Sequence, residues 1–395
     1  KGNWPMNRRE LITAILAGMS IPLAPLELAA ASTRNGRRLI LVELSGANDG
    51  LNTLVPIKDE RYRELRPKIG LLKHEVFDLG QGLALNSAMK PLDAAWQAGD
   101  MAVLQGLGYP GQNRSHFKSI AIWETGGDGN KSGKTGWLTE DIEGVAGAEQ
   151  LDAHGISLDG GMGVFTSPSG VWLSMTSMAQ FSNLRTKVET IKTVDSKNPA
   201  LSLVLDRGRA LDASMRSISK KIGNSRYQSP MRINAGDFGK QVSMAASLID
   251  AGIDAPVLKL KINGFDTHEN QAWRHRALLR NLAKGLSGLR KALKRSGHWE
   301  DTLVMTYSEF GRRALENESG GTDHGTAAPH FLMSGALDGG IWGIHPDLGD
   351  INEGDVSYTM DYRVVYDRVL ADWFSLDQNR FSKFRSDSLE RLLRS

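Results

Sequence analysis

Short apolar runs, each followed by a polar loop that contains glycine, recur along this chain. The clearest are Arg38–Leu44, Met101–Gln105, Val257–Ile262 and Thr302–Tyr307. Runs this continuous are typical of strands that are buried on both faces, as in a parallel sheet. The pattern therefore predicts a central sheet whose strands end in polar loops.

A long segment from about Glu269 to Lys294 has helical periodicity, and Gly297 follows it. Five leucines recur along it at spacings of four and three, with arginine and lysine on the opposite face: Leu278, Leu282, Leu286, Leu289 and Leu293. The next strand begins soon afterwards. Strand–helix–strand alternation predicts a three-layer αβα fold of the α/β class with a mostly parallel central sheet.

The middle of the chain, residues 140–256, is rich in serine, methionine, lysine and glycine and has mixed periodicity. We interpret it as helices and loops inserted into, or capping, a single domain that spans residues 32–395.

The N-terminal segment has the pattern of an export signal. An arginine pair, Arg8-Arg9, precedes the weakly hydrophobic run Ile12–Leu28, and three alanines come directly before Ser32. This order is typical of a twin-arginine signal, so we expect residues 1–31 to be removed before Ser32. The prediction implies the twin-arginine translocase as a partner and a periplasmic or otherwise exported location. The alternative is a buried or amphipathic N-terminal helix.

Composition excludes several classes of function. The 395 residues carry a net charge of +3, which is too small to indicate nucleic acid or an anionic membrane as the main partner. The chain has no cysteine, so disulfides, thiolate metal sites and a cysteine nucleophile are excluded. No segment after the signal is long and apolar enough to span a bilayer, so we expect no stable membrane span after processing.

Acidic and histidine side chains follow the predicted strands. The residues concerned are Asp49, Asp266, His268, Glu309, Asp323 and His324. In an open α/β sheet, ligands bind outside the carboxyl ends of the strands, so these side chains are expected at one edge. Oxygen ligands mixed with imidazole suit a divalent ion such as Zn²⁺, Mn²⁺, Mg²⁺ or Ca²⁺. The alternative for each aspartate is that it is simply a turn former.

Ser115 is the candidate nucleophile, because it precedes a segment with helical character that ends near Thr125. A helix N-terminus favours an anion, so the predicted substrate is a small anionic ester. Arg114 and Arg312 are candidates for binding its phosphoryl or sulfuryl oxygens, since guanidinium offers paired donors. The alternatives are a helix N-cap for the serine and structural salt bridges for the arginines.

Two other motifs are weaker. Residues 106–111 spell G-x-G-x-x-G after a strand, but Pro110 removes an N–H that a pyrophosphate would need, so dinucleotide binding is not expected. A serine-hydrolase triad could be drawn from Ser115, His324 and an aspartate, yet the chain contains no G-x-S-x-G elbow.

Several short motifs together resemble one family. They are Ser45–Asn52 (SGANDGLN), Asn113–Phe117 (NRSHF), Trp123–Gly126 (WETG), Ser308–Arg312 (SEFGR) and Gly321–Gly325 (GTDHG). The chain is similar to a family of twin-arginine-exported bacterial proteins, domain of unknown function family 1501, which is assigned to the alkaline phosphatase and sulfatase superfamily. The resemblance runs from about Leu39 to Trp373.

The resemblance to the superfamily implies roles for individual residues. It implies that Asp49 is the carboxylate after the first strand, that Ser115 is the nucleophile, and that Asp266 with His268 binds one metal. His324 matches the last histidine of the pattern. An Asp-His pair is usual for the second metal, but this chain has Glu309 followed by Phe310, so one imidazole is missing. Asp323 is a candidate to compensate for it.

We therefore expect an exported metal-dependent hydrolase of phosphate or sulfate esters with a serine nucleophile. The main alternative is a non-catalytic cell-envelope binding or assembly protein that retains the fold, which Phe310 at a ligand position favours. A third hypothesis is a carboxylic-ester hydrolase that uses Ser115 and His324.

Overall fold

The strands lie where continuous apolar runs predict them, with several short additions. The computed structural model describes residues 36–129, 131–145, 147–178, 181, 198–224, 232–377 and 379–394. The predicted export signal, residues 1–31, lies outside the described residues. The strands are β1 Arg38–Ser45, β2 Leu54–Pro56, β3 Val76–Gly80, β4 Leu83–Asn86, β5 Met101–Gly108, β6 Gly155–Ser157, β7 Trp172–Ser174, β8 Val257–Asn263, β9 Thr302–Tyr307, β10 Ala328–Met333, β11 Gly340–Trp342, β12 Ile351–Asn352, β13 Asp355–Val356 and β14 Met360–Asp361.

Helices alternate with the strands through most of the chain. The α-helices are α1 Arg61–Leu65, α2 Asp93–Gln97, α3 His116–Thr125, α4 Thr139–Glu143, α5 Pro199–Asn224, α6 Gly236–Asp250, α7 Gln271–Ser296 and α8 Tyr362–Arg368, and a π-helical turn, Val369–Trp373, continues α8. The predicted helix corresponds to α7, where Gly297 ends the helix in the left-handed conformation. Among the described residues, no helix has the length and apolar character needed to cross a membrane.

Nine of the described strands form one mostly parallel sheet, which confirms the predicted α/β class. Its order is β11-β5-β10-β9-β1-β8-β6-β7, with β14 also paired to β5. Strands β2, β4 and β3 form a separate antiparallel sheet, and β12 pairs with β13. Strand β1 runs parallel to β8 and β9, whereas β10 is antiparallel to both β5 and β9. Because β10 runs in the opposite direction, it begins at the edge where β1, β8 and β9 end. The loop before β10 therefore reaches the same edge as the loops after the parallel strands.

Alternating side chains of β1 separate the two cores. Ile40 and Val42 pack in one hydrophobic cluster with leucines of α7 and apolar residues of α6. Leu39 and Leu41 face the other side and pack with Trp123 of α3 and with aromatic residues of α8. A strand with both faces buried in this way explains why its sequence is continuously apolar instead of alternating.

The segment 140–256, which we interpreted as an insertion or cap, contributes to the sheet where it is described. Its short strands β6 and β7 extend the sheet beyond β8. Its helix α6 packs against α7 and β8.

A group of charged side chains is buried on the α3 side of the sheet. Lys259 Nζ lies 2.9 Å from Glu43 Oε2, 2.8 Å from Asp159 Oδ2 and 3.7 Å from Glu124 Oε1. We call these four residues the Lys259 cluster. Burial is the largest influence on Glu124, and it raises the pKa of this carboxyl to about 7.

This raised pKa predicts that stability falls as pH increases. The folded protein holds a proton on Glu124 that the unfolded chain has released, so the stabilisation is complete near pH 4.5 and is lost as pH rises through about 7. The shift from 4.5 to about 7 corresponds to roughly 3 kcal/mol. We expect Glu124→Gln to remove about this much of the decrease between pH 4.5 and pH 8, measured by urea unfolding. Exposed Glu149→Gln is the control, and equal pH profiles for Glu124→Gln and the native chain would contradict the prediction.

Candidate metal centre

Three loops meet closely at the carboxyl edge of the sheet, and glycine makes the approach possible. Gly46, after β1, has φ +109°, and a Cβ there would lie 2.3 Å from Asp266 N. A Cβ at Gly321 would lie 2.3 Å from the carbonyl of His268. Since real Cβ atoms do not approach backbone this closely, the glycines of the SGAND and GTDHG motifs allow these loops to pack against each other.

Three imidazoles converge where these loops meet. His324 Nε2 lies 3.1 Å from His116 Nε2 and 3.0 Å from His268 Nε2. The carboxylate of Asp266 lies among them, with Oδ1 3.1 Å from His268 Nε2 and 3.4 Å from His324 Nε2, and Oδ2 3.5 Å from His116 Nε2. We call these four residues the three-histidine centre.

The second nitrogen of each ring faces an acceptor. His116 Nδ1 lies 2.6 Å from Glu309 Oε1, His268 Nδ1 lies 3.2 Å from Asp323 Oδ1, and His324 Nδ1 lies 2.9 Å from the carbonyl of Arg114. An ionised carboxylate and a carbonyl can only accept, so each Nδ1 is the protonated nitrogen. A neutral ring with a proton on Nδ1 has its lone pair on Nε2, and these are the three nitrogens that converge.

This donor set fits a divalent cation. Imidazole nitrogens bind Zn²⁺ at 2.0–2.1 Å, so two ligands of one tetrahedral ion lie about 3.3 Å apart, close to the separations found here. Second-nitrogen hydrogen bonds to carboxylate or backbone oxygen are also usual for metal-ligating histidines. His116, Asp266 and His324 offer ligand atoms that all lie within 4.8 Å of one another.

The surroundings of Asp266 and His324 favour the forms that bind a cation, whereas those of His116 favour its protonated form. Burial opposes ionisation of Asp266, but the hydrogen bond and charge of Arg312, with the charges of His116 and His268, lower its pKa overall. Burial and then the Arg312 charge lower the pKa of His324. The hydrogen bond to Glu309 is the main cause that raises the pKa of His116.

Glu309 and Asp323, which we predicted as metal ligands, contact the rings of histidines instead of the convergence point. Glu309 is nearly buried, and its Oε1 accepts from both His116 and the backbone N of Gly46, 2.9 Å away. Asp323 accepts from Asn317 Nδ2 at 3.3 Å as well as contacting His268. In this arrangement the carboxylates orient the imidazoles.

Asp49 lies outside the three-histidine centre. Its carboxylate is fully buried and forms a two-bond ion pair with Arg66, at 2.8 and 3.0 Å. Gln271 Nε2 also donates to it. Burial raises the pKa of Asp49, but the charge and hydrogen bond of Arg66, together with His275 and Gln271, lower it overall.

Arg312 is buried, and its guanidinium donates to Asp266 Oδ1 and to the carbonyls of Ala47 and Thr322, both at 2.9 Å. Arg114 is partly exposed, and its guanidinium lies 2.8 Å from Asp355 Oδ2. Arg312 thus fixes Asp266, a residue of the centre, whereas the guanidinium of Arg114 pairs with Asp355 outside the centre.

Ser115 occupies the N-cap position of α3, but its side chain makes no capping hydrogen bond. The residues on either side of it are both fixed to the centre, Arg114 through its carbonyl and His116 through its ring. The backbone of exposed Ser115 is therefore held next to the three-histidine centre by its two neighbours, and its hydroxyl does not cap the helix.

His116 is the member of the centre that we did not predict, because we interpreted its motif through the neighbouring serine. The ring of Phe310 packs 4.9 Å from His116 and 4.8 Å from His324 between centroids. The chain therefore has phenylalanine where the resemblance implies an imidazole, and α3 brings a different imidazole to the centre. The sequence did contain a signal for this role, because His116 begins a helix that follows a loop at the edge of the sheet.

The sequence profile of the family described as protein of unknown function (DUF1501) matches residues 94–380. The chain belongs to this family. The matched range includes His116, Asp266, His268 and His324, so the whole three-histidine centre lies within the DUF1501 region. No curated protein matches the chain in sequence.

Solved structures similar to this DUF1501 chain include three with 8–12% identity. The C-terminal periplasmic domain of EcEptC from Escherichia coli, in complex with Zn, has a TM-score of 0.37 over 77% of this chain and 74% of that one, at 8% identity. The lipoteichoic acid synthase LtaP from Listeria monocytogenes has 0.30 over 82% and 69%, at 12%. A protein in the alkaline phosphatase superfamily from Vibrio parahaemolyticus has 0.33 over 93% and 75%, at 9%. At TM-scores below 0.5 these likenesses carry no argument about the site.

Proposed function

We propose that this DUF1501 protein is an exported, metal-dependent hydrolase of phosphate or sulfate esters with Ser115 as its nucleophile. The observation that carries the proposal is the contact of His324 Nε2 with the Nε2 atoms of His116 and His268, with the Asp266 carboxylate among them. Ser115 is exposed and lies in the chain between Arg114 and His116, which both contact this centre. Export rests on the Arg8-Arg9 pair and the alanines before Ser32.

His116, His268, His324 and Asp266 would hold the cation, which would supply Lewis-acid stabilisation of anionic oxygens at the site. Ser115 Oγ forms the bond to phosphorus or sulfur as the P–O or S–O ester bond breaks; the hydroxyl proton passes to solvent, and the leaving oxygen takes a proton from solvent. The N-terminus of α3 adds backbone N–H groups and a positive dipole end, which favour the anionic group being transferred. Water then releases phosphate or sulfate from the serine.

The arginines have different roles in this proposal. Arg312 is buried and orients Asp266, while the partly exposed Arg114 would meet substrate oxygens by exchanging its ion pair with Asp355 for them. His324 directs Nδ1 to the Arg114 carbonyl and Nε2 to the other rings. This geometry favours a metal ligand role for His324 over a general-base role in a carboxylic-ester hydrolase.

One observation favours a second candidate, a non-catalytic metal-binding protein of the cell envelope. Arg114 and Arg312 are the arginines we predicted to bind substrate, and each is already paired with a carboxylate of the protein. Binding of an anionic substrate by either arginine would have to break one of these ion pairs, which favours a site that holds an ion.

Metal removal tests the proposal directly. Metal-free protein reloaded with zinc, manganese, magnesium or calcium would be assayed on an aryl phosphate, an aryl phosphodiester and an aryl sulfate. We expect a chelator to abolish turnover of at least one ester, and one of these ions to restore it. His116→Ala should weaken binding of that ion about 100-fold or more, because loss of an outer partner alone costs 10- to 100-fold.

Exposed His74→Ala is the matched control and should bind the ion like the native chain. Tight binding of an ion without turnover of any ester would select the second candidate. Turnover that survives complete removal of metal would exclude the proposed mechanism.

A further inference from the structure

A buried amide lies beneath the three-histidine centre and contacts two of its loops. Gln271, the first residue of α7, is fully buried. Its side-chain Oε1 accepts from Thr267 Oγ1 at 2.9 Å and from Thr322 Oγ1 at 2.7 Å. Its Nε2 donates to Asp49 Oδ2. Because a carboxylate only accepts, the amide has one orientation, with its oxygen facing both hydroxyls.

The two threonines are direct neighbours of the histidines and aspartates at the site. Thr267 stands between Asp266 and His268, and Thr322 comes two residues before His324. Both threonines are fully buried, and Thr322 N donates to the carbonyl of Thr267 at 3.2 Å. One carbonyl oxygen of Gln271 therefore fixes the separation of the loops that present His268 and His324.

Asp49 and Arg66 extend the buried hydrogen-bond network of Gln271. Arg66 pairs with Asp49 and also donates to the carbonyls of Arg313, at 2.9 Å, and Ala314, which follow Arg312 in the chain. The amide of Gln271 is thus held at its nitrogen by a carboxylate that is itself fixed by a buried guanidinium. A buried hydrogen-bonded network of this kind has little freedom to reorient.

We propose that Gln271 is a positioning residue for the metal centre and acts through Thr267 and Thr322. It touches none of the converging donor atoms, but it sets the spacing of the loops that carry them, with His268 Nε2 and His324 Nε2 3.0 Å apart. This inference rests on the proposed function, since it assigns a role toward the cation of that site. Asp49, which we predicted as a ligand, acts in this network as the anchor of the amide.

The test compares zinc affinity across four variants by competition with a chelating dye. Gln271→Met keeps the length of the side chain and removes its hydrogen bonds, and Thr322→Val removes one hydroxyl. We expect both to bind zinc 10- to 100-fold more weakly, the range for loss of outer-shell partners. Thr322→Ser restores the hydroxyl and should bind within about threefold of the native chain. Leu286→Val, a core change in the same helix, should lower stability and leave zinc affinity unchanged.

A second readout uses metal-free protein, so it does not depend on the proposed function. The ¹⁵N signals of His268 and His324 should report the Nδ1-protonated tautomer in the native chain and a mixture of tautomers in Gln271→Met. Native zinc affinity and native histidine signals in Gln271→Met, with a loss of stability like that of Leu286→Val, would overturn the positioning role. Zinc binding without ester turnover would instead overturn the proposed function and leave the positioning role intact. If the native chain binds none of zinc, manganese, magnesium and calcium, the proposed function fails, and the histidine signals alone decide the role of Gln271.

Discussion

Ser115→Ala is expected to lower kcat for the best ester by about 10⁴-fold or more, the scale on which loss of a serine nucleophile acts. Zinc affinity should remain native, because the Ser115 hydroxyl contributes none of the converging donors at 3.0–3.1 Å. The hydroxyl also makes no capping bond, so the free energy of unfolding should change by less than about 0.5 kcal/mol. Steady-state kinetics, zinc competition and urea unfolding on the same preparation separate these three effects.

Exposed Ser169→Ala is the matched control and should keep native turnover. If Ser115→Ala retained more than a tenth of the native kcat, attack would have to come from water, and Ser115 would be only the residue at which α3 begins. A loss of kcat accompanied by an equal loss of zinc affinity would show that Ser115 acts through the centre and not as the nucleophile.

The sheet and the long helix could be predicted from sequence because burial dictates their composition. Strand β1 is apolar at every position from Leu39 to Val42, since both of its faces are covered. The leucines of α7 recur at helical spacing because one stripe of that helix packs on the sheet. The direction of β10 could not be predicted in this way, because a strand has the same side-chain period whichever way it runs.

The edge that carries the candidate site could also be predicted, but the contacts of each side chain could not. Carboxylates and imidazoles after strands indicate a polar edge, and Asp266, His268 and His324 do meet there. Whether a carboxylate such as Glu309 faces a cation or a neighbouring ring depends on loop packing between residues far apart in the chain. His116 shows the same limit, since it joins the centre through the placement of α3.

Asp49 shows that a carboxylate directly after a strand does not have to bind a metal ion. Its partner Arg66 lies 17 residues later, in a segment whose sequence pattern gave no indication of a buried ion pair. The side chains of both residues have 0% exposure. A charged pair without access to water needs hydrogen-bond partners within the protein. Two hydrogen bonds join Arg66 to Asp49. Gln271 also donates to Asp49, and Arg66 donates to backbone carbonyls.

Arg66→Met is therefore expected to lower the free energy of unfolding by about 3–5 kcal/mol, because it leaves the Asp49 carboxylate buried without a counter-charge. The loss should shrink as pH is lowered, since protonation of Asp49 removes the uncompensated charge. In the double variant Arg66→Met/Asp49→Asn, the amide oxygen still accepts from Gln271 and no buried charge remains, so most of the loss should be recovered. Urea unfolding of the native chain, both single variants and the double variant forms a double-mutant cycle. Additive losses, with no recovery in the double variant, would show that the pair is not coupled and that Arg66 acts mainly through the carbonyls of Arg313 and Ala314.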